Sequence, residues 1–286
     1  MPDTMTELTM TAKAKINLSL HVLGKRADGY HTIESVMQPL RFGDVVTARL
    51  NQTGQIILTT SDPSLPTDEG NLAYRAAQFL LQRYRPGQGV TVHIEKRIPI
   101  AAGLAGGSTD AAAVLHLVNQ LLDLGLKTEE LASLGVTLGA DVPFCLYASA
   151  ALAEGIGEKL TAVQGLCDCY VVLVNPGVPV STARIYKELD TAAVLESPQT
   201  KALLAHLAEG HLTGAVKSMI NVMQPVAATH CPAIEELLKK LKQAGALHSM
   251  MSGSGATCFG IFTEKPDAEK LSSLFGSMLV AVTTPA

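Results

Sequence analysis

The 286-residue sequence has no tryptophan and only six tyrosines and six phenylalanines. Without large aromatics a core has to be filled by Ala, Val, Leu and Ile, the usual content of helices packed on sheets. Cysteine is scarce and odd in number: Cys145, Cys167, Cys169, Cys231 and Cys258 contain no C-x-x-C pair. That excludes a disulfide framework and argues against a cysteine zinc site. The eight histidines contain no H-x-x-x-H and no H-E-x-x-H, so a dedicated transition-metal site is not expected. No apolar run approaches the ~18 residues needed to cross a bilayer. The first dozen residues carry Asp3 and Glu7 and lack the apolar stretch of a signal peptide. There is no basic excess either, since 22 Lys and Arg face 26 Asp and Glu for a net charge of −4. A cytoplasmic chain with neither a nucleic-acid nor a membrane partner is therefore expected.

What is present is apolar mass at 47%, modest charge at 17%, and 24 glycines. The chain can fill a core, and its length fits two domains at roughly 150 residues each. A boundary near residue 160 divides it into 1–160 and 161–286. In the first segment, residues 13–23 alternate with Ile16, Leu18, Leu20 and Val22 on one face, a half-buried strand. Asn71 reads as the N-cap of a helix striped by Leu72, Ala76, Leu80 and Leu81. Val90, Val92 and Ile94 form another strand, a glycine-rich loop follows at 103–107, and Ser108 opens a helix. Thr128 caps a further helix leading to Gly139-Ala140-Asp141-Val142-Pro143. The second segment has an apolar strand at Cys169–Asn175 and a polar, helix-prone stretch over about 182–228. Its tail reads helix, strand, strand, helix, strand, a split-βαβ succession.

The loop Ala102-Gly103-Leu104-Ala105-Gly106-Gly107-Ser108-Thr109-Asp110 carries the most chemistry. A glycine loop between strand and helix gathers free N–H groups and the positive helix end on one spot, which holds phosphate without a side-chain charge. No lysine follows the glycines, so it is no Walker A loop, and it does not fit G-x-G-x-x-G. A plain turn remains the other reading. Lys96 and Arg97 could reach the same anion or be a solvated strand end. Lys15, taken alone, reads as a solvent-facing residue that shares a strand face with Lys13 and Asn17. Asp141 reads either as a functional acid or as a helix-cap acid. Arg26–His31 is a turn tipped by Asp28-Gly29, with Tyr30 and His31 as a possible stacking platform. Gly253-Ser254-Gly255 is either a second phosphate-approach loop or a tight turn. Cys167-Asp168-Cys169 marks a strand start.

In combination and in this order, Ala14–Leu18, Arg26–His31, Gly103–Ala111, Gly139–Pro143 and Met251–Ala256 resemble the motifs of the GHMP small-molecule kinases, over about residues 12–286. The Arg-Ala-Asp-Gly-Tyr-His and Gly-Ala-Asp-Val-Pro runs point to the branch acting on a cytidine diphosphate-linked methylerythritol. The resemblance implies an α+β fold of two lobes, an N-terminal ribosomal-protein-like lobe and a C-terminal ferredoxin-like one. It implies ATP-dependent phosphorylation of the substrate's 2-hydroxyl, with Mg2+, in isoprenoid precursor synthesis. Asp141 would be the general base, with Lys15 keeping it ionised and orienting the hydroxyl. Gly103, Leu104, Ala105, Gly106, Gly107, Ser108 and Thr109 would cradle the ATP phosphates, with Ser108 near the metal. Asn71 and Lys96 would approach the nucleotide. Tyr30 and Tyr186 would sandwich cytosine, His31 would bond its edge, and Asn17 and Thr182 would touch the methylerythritol diphosphate. Ala102 and Ala105 stand where some relatives have glycine, and Tyr186 where some have Phe. A homoserine- or mevalonate-type kinase, or a non-catalytic sensor on the same fold, is the alternative. The expected assembly is a monomer or weak homodimer.

Overall fold

The computed structural model describes residues 7–189 and 198–286. They form two compact units that are not consecutive in sequence. The first comprises the chain up to Ala14, then Gly43–Ile98 and Ala105–Ala148. The second comprises Lys15–Phe42, Pro99–Leu104 and Ser149–Ala286. The chain thus passes between units at five points, where the sequence reading placed one boundary near residue 160. The two longest strands, β1 (Glu7–Lys25) and β2 (His31–Asn51), each contribute residues to both units.

In the first unit β3 (Ile56–Thr60) runs parallel to β4 (Gly89–Glu95), and β4 pairs antiparallel with Val45–Asn51 of β2. Four helices follow the same stretch of chain: α1 (Leu72–Tyr84), α2 (Gly106–Leu121), α3 (Thr128–Gly135) and α4 (Val142–Tyr147). Helix α1 begins where its cap requires, because the Asn71 side chain accepts from the Ala73 N–H at 2.9 Å. The α1–α2 contact is built from small residues on both sides, and Ala73, Ala76, Ala77, Ala111, Ala112 and Ala113 are all buried in one core with Val46, Val92 and Ile94. Helix α3 starts at Thr128, but Lys127 rather than Thr128 occupies the cap position, and Glu130 closes back onto the Lys127 N–H at 2.8 Å.

In the second unit β5 (Ala151–Gly155) pairs antiparallel with Ile33–Met37 of β2 and with β6 (Lys159–Ala162). A second sheet is led by β7 (Tyr170–Asn175). Helices α5 (Thr182–Leu189), α6 (Pro198–Ala208) and α7 (Leu212–Lys217) cover the described part of the helix-prone stretch; residues 190–197 of that stretch lie outside the described residues. The short β8 (Ile220–Asn221) pairs parallel with Ser19 and Leu20 of β1, and α8 (Gln224–His230) follows. The tail is α9 (Ala233–Ala244), β9 (His248–Met251), β10 (Cys258–Phe262), α10 (Ala268–Phe275) and β11 (Leu279–Thr283), the succession expected. Gly245 ends α9 in the left-handed conformation that glycine adopts freely. The sheet order is β11-β7-β10-β9, antiparallel throughout. Its inner strands β7 and β10 are almost wholly buried, which explains why both read as continuous apolar runs without alternation.

The long β2 and the short β3, β5 and β6 were not read from sequence. Their residues mix polar and apolar positions, and partners decide their state. No helix among the described residues is long and apolar enough to cross a membrane.

Gly43, in β2, lies where a Cβ would overlap the carbonyl oxygen of Ala12. Gly43→Ala is expected to lower stability by about 1–3 kcal/mol, as overpacking does. A urea unfolding curve with an unchanged midpoint would contradict that close approach.

Candidate active site

The glycine loop is held by backbone and side chains of two kinds. In the second unit Gly103 takes a φ of 76°, and its carbonyl accepts from the Lys15 ammonium at 3.1 Å and from the Ser252 hydroxyl at 2.9 Å. A Cβ on Gly103 would collide with the Ser252 carbonyl, so glycine is required there by space as well as by φ. The Lys15 N–H donates to the Leu104 carbonyl at 3.2 Å, and the flanking Ala102 and Leu104 side chains are buried. In the first unit Ala105 is the N-cap of α2 at φ 60° and offers no side-chain cap. The helix begins at Gly106, two residues before the expected start at Ser108. Both glycines therefore lie in its first turn, where N–H groups have no intrahelical partner. A helix end left bare in this way is suited to anions.

Lys15 does not face solvent. It is 5% exposed, and its ammonium donates to Asn17 Oδ1 at 2.8 Å as well as to Gly103. Asn17 is buried too, and its amide donates to Ser35 Oγ at 2.8 Å. Asn17 is thus committed to positioning Lys15. The Gly253-Ser254-Gly255 segment is a buried turn of the same unit: Asn221 Nδ2 donates to the carbonyls of Met251 and Gly253 at 2.8 Å each. A Cβ on Gly253 would lie 3.0 Å from the Gly103 carbonyl and 3.4 Å from the Lys15 ammonium. Gly253 is therefore a buttress of Gly103 and Lys15.

Lys96 sits beside the start of α2, its ammonium 3.5 Å from the point a Cβ on Gly106 would occupy. It is nonetheless paired with the buried carboxylates of Asp44 and Asp110, the latter at 2.7 Å. Asp44 also accepts from the Arg97 and Ile98 N–H groups at 2.5 and 2.8 Å. Asp110 has no comparable support, since its other oxygen is buried without a hydrogen-bond partner. Burial pushes the Asp110 carboxyl up to about 7, the neighbouring Asp44 adding to the rise and Lys96 opposing it. Lys96 is held above its usual value because Asp110 and Asp44 outweigh the burial that would lower it. Arg97 points elsewhere, exposed and paired with Glu95 at 3.1 Å.

Asp141 occupies the N-cap position of α4, yet its side chain makes no capping bond, and Pro143 removes a donor from the first turn. Ser108 Oγ lies 3.8 Å from the point a Cβ on Gly139 would reach, so the hydroxyl faces the turn that leads to Asp141. Thr109, one residue on, is tied to the Lys13 carbonyl at 2.8 Å. Asn71 has both polar atoms engaged, capping α1 and donating to the Pro66 carbonyl at 2.9 Å.

In the second unit the His31 and Tyr186 rings stack at 4.6 Å and 18°, which leaves no gap for a third ring between them. Tyr30 is 59% exposed at the end of the Arg26–Asp28 turn, whose ion pair measures 2.8 Å. Thr182 starts α5 and shares a hydrogen bond with Ser254 Oγ at 2.7 Å. Burial pushes the Cys169 thiol, just before β7, up to about 12.

Asp44 and Asn221 were missed from sequence, and Asp110 and Ser252 stood only inside the glycine loop and the Met251–Ala256 motif with no role given to them. Only Asp110 left a signal: it lies four residues before Val114 and seven before Leu117, on the buried stripe of an alanine-rich helix.

The two sheets and the glycine loop opening α2 are the fold of the GHMP kinases. Residues 71–149 match the model for the GHMP kinases N terminal domain, and residues 195–278 that for GHMP kinases C terminal. A homoserine kinase from Cytophaga hutchinsonii shares this fold, with a TM-score of 0.80 at 21% identity over 100% of this chain and 96% of that one. The 4-diphosphocytidyl-2-C-methyl-D-erythritol kinases of Alkaliphilus metalliredigens and Alkaliphilus oremlandii are 42% and 45% identical, over 95% and 90% of this chain and 94% and 89% of their own. A crystal structure of 4-(cytidine 5'-diphospho)-2C-methyl-D-erythritol kinase superposes with a TM-score of 0.82 at 32% identity, over 98% of this chain and 99% of that one. The chain belongs to the 4-diphosphocytidyl-2-C-methyl-D-erythritol kinase family of the GHMP kinases.

The raised Asp110 has a pH consequence. Above the usual carboxylate value of 3.8 the unfolded chain has lost this proton, while the fold keeps it up to about 7. Asp110 thus makes stability fall as pH rises across that window. Asp110→Asn is expected to remove this contribution, so that the stability difference between variant and wild type grows from pH 4 to 7 and then levels. Parallel stability–pH curves from chemical denaturation would refute it.

Proposed function

We propose that this chain transfers the γ-phosphoryl group of ATP to the 2-hydroxyl of 4-diphosphocytidyl-2-C-methyl-D-erythritol, yielding the 2-phosphate and ADP for isoprenoid precursor synthesis. One observation carries the reading: identity above 40% over nearly the whole chain with kinases of that name. The geometry supplies parts the reaction needs. Phosphoryl transfer demands positioning and charge neutralisation more than covalent chemistry, and the bare N-terminus of α2 offers N–H donors to the phosphates. Gly103, Leu104, Ala105, Gly106, Gly107, Ser108 and Thr109 form the cradle, with Asn71 and Lys96 on the nucleotide side. Lys96 brings hydrogen bonds more than net charge, since two carboxylates already face it.

Asp141 is the general base that takes the hydroxyl proton, and its freedom from capping leaves the carboxylate available. Lys15, held by Asn17 and Gly103, orients the acceptor hydroxyl. Mg2+ prefers hard oxygen ligands and keeps phosphate and water in its shell; the Ser108 hydroxyl, facing the Asp141 turn, fits that chemistry. When bound with ATP, Mg2+ would neutralise charge on the transferring phosphate. Tyr30 offers an open ring face to the pyrimidine, beside the His31–Tyr186 stack, and Thr182 borders the diphosphate portion.

The test is ADP release with the cytidine-linked substrate, with homoserine and mevalonate as comparison acceptors. Turnover is expected with the first alone, and equal turnover with either of the others would overturn the assignment. Asp141→Asn is expected to bind nucleotide but lose about 10²-fold or more in turnover; near-normal turnover would remove it as base. Tyr30→Ala should weaken the cytidine substrate by ~1–3 kcal/mol, the worth of base–aromatic stacking. Calorimetric titration giving an unchanged affinity would take Tyr30 out of the site.

A further inference from the structure

The end of α6 carries a second cluster, unconnected with the phosphate loop. Gly210, at φ 66°, closes the helix, with its N–H donating to the Leu207 carbonyl at 3.0 Å and the His211 N–H donating to the His206 carbonyl at 2.8 Å. This is the Schellman arrangement, and its geometry folds the residue after the glycine back over the last full turn. The two residues brought together, usually apolar, are here His206 and His211. Their rings meet edge to face at 5.2 Å. Glu209 lies between them in sequence, and one donor atom from each of His206, Glu209 and His211 falls within 4.8 Å of the others.

Three further observations bear on this cluster. His206 Nδ1 is buried and has no hydrogen-bond partner, an arrangement that folded proteins avoid unless something pairs with the nitrogen. The His206 ring lies against Gly214 of α7, where a Cβ would overlap it, so the glycine lets the ring seat itself there. A cavity of about 10 Å³, room for a single atom-sized guest, lies between His206, His211 and the exposed Cys167, with Leu166, Leu207 and Leu212 closing it and Glu209 outside its wall.

We infer that His206, Glu209 and His211 form a binding site for a borderline divalent transition ion of the Zn2+ class. Two imidazole nitrogens and a carboxylate suit Zn2+ and Co2+ and do not suit Mg2+. Ligand atoms on tetrahedral Zn2+ lie about 3.3–3.5 Å apart, given bonds of about 2.0–2.1 Å. Glu209 and His211 are both exposed, and their side chains have room to turn toward His206. The fourth position falls to water or to the Cys167 thiol. An ion there clamps the α6–α7 corner, so its effect is on the stability of that corner. The spacing H-x-x-E-x-H escapes helical search patterns because the glycine turn, and not a continuous helix, brings its members together.

The test uses the full chain stripped with EDTA. Zn2+ is titrated in competition with a chromophoric chelator, and Co2+ is followed by its visible absorption. The wild type is expected to take up one equivalent. His206→Gln, Glu209→Gln and His211→Ala are each expected to weaken it by more than about tenfold, the lower bound for losing an outer-shell partner. His93→Ala, an exposed histidine on β4, should bind as wild type does. Zn2+ should also raise the thermal midpoint of the wild type but not of His211→Ala, each compared with its own midpoint in EDTA. The site is refuted if the wild type takes up no equivalent, or if any of the three variants binds as tightly as wild type.

Discussion

The carbonyl of Gly103 is the point on which the candidate site depends. It receives the Lys15 ammonium and the Ser252 hydroxyl at once, and only a residue without Cβ can present it so close to the Ser252 backbone. With that carbonyl turned inward and φ left-handed at Gly103 and again at Ala105, the chain enters α2 with uncapped N–H groups. Any anion that binds there meets donors that the protein has left without partners, and no side-chain charge is required. Lys15 serves this arrangement through two donors, its ammonium and its backbone N–H, which together fix the loop. Asn17, Gly253 and Asn221 hold these groups in turn.

Burial sets the electrostatics of the first unit. Lys96, Asp44 and Asp110 are nearly excluded from water, and one ammonium between two carboxylates leaves an imbalance. The fold relieves it unevenly. Asp44 collects two backbone N–H groups besides Lys96, whereas one Asp110 oxygen is buried without a partner and burial pushes its carboxyl up to about 7. The cluster lies next to Gly106, so the charge at the start of α2 depends on the protonation of a residue in its second turn.

Much of this was legible beforehand. The glycine loop, the Asn71 cap, the tail from α9 to β11 and the strand around Lys15 follow from local rules, because turns, caps and periodic burial are properties of a few adjacent residues. The family motifs made Asp141, Tyr30 and His31 candidates by order alone. What misled was the isolated lysine: from alternation Lys15 reads as solvent-facing, and nothing nearby announces that Gly103, 88 residues away, accepts a hydrogen bond from it. Ser252 and Asp44 were silent for the same reason. The His206–His211 pair was also missed, because a left-handed glycine interrupts the helical spacing between them.

The sequence by itself determined the glycine turns, the Asn71 cap, the apolar strands and the family to which the chain belongs, since each rests on short-range sterics or on an ordered set of motifs, while the start of α2 and the cap of α3 fell one or two residues from where it put them. Only the tertiary structure decided which polar groups are buried and with whom. Lys15 became an anchor, Lys96 a matched charge, Asp110 a proton holder and Ser252 a support. Their states depend on desolvation and on partners far along the chain, and no local pattern encodes either.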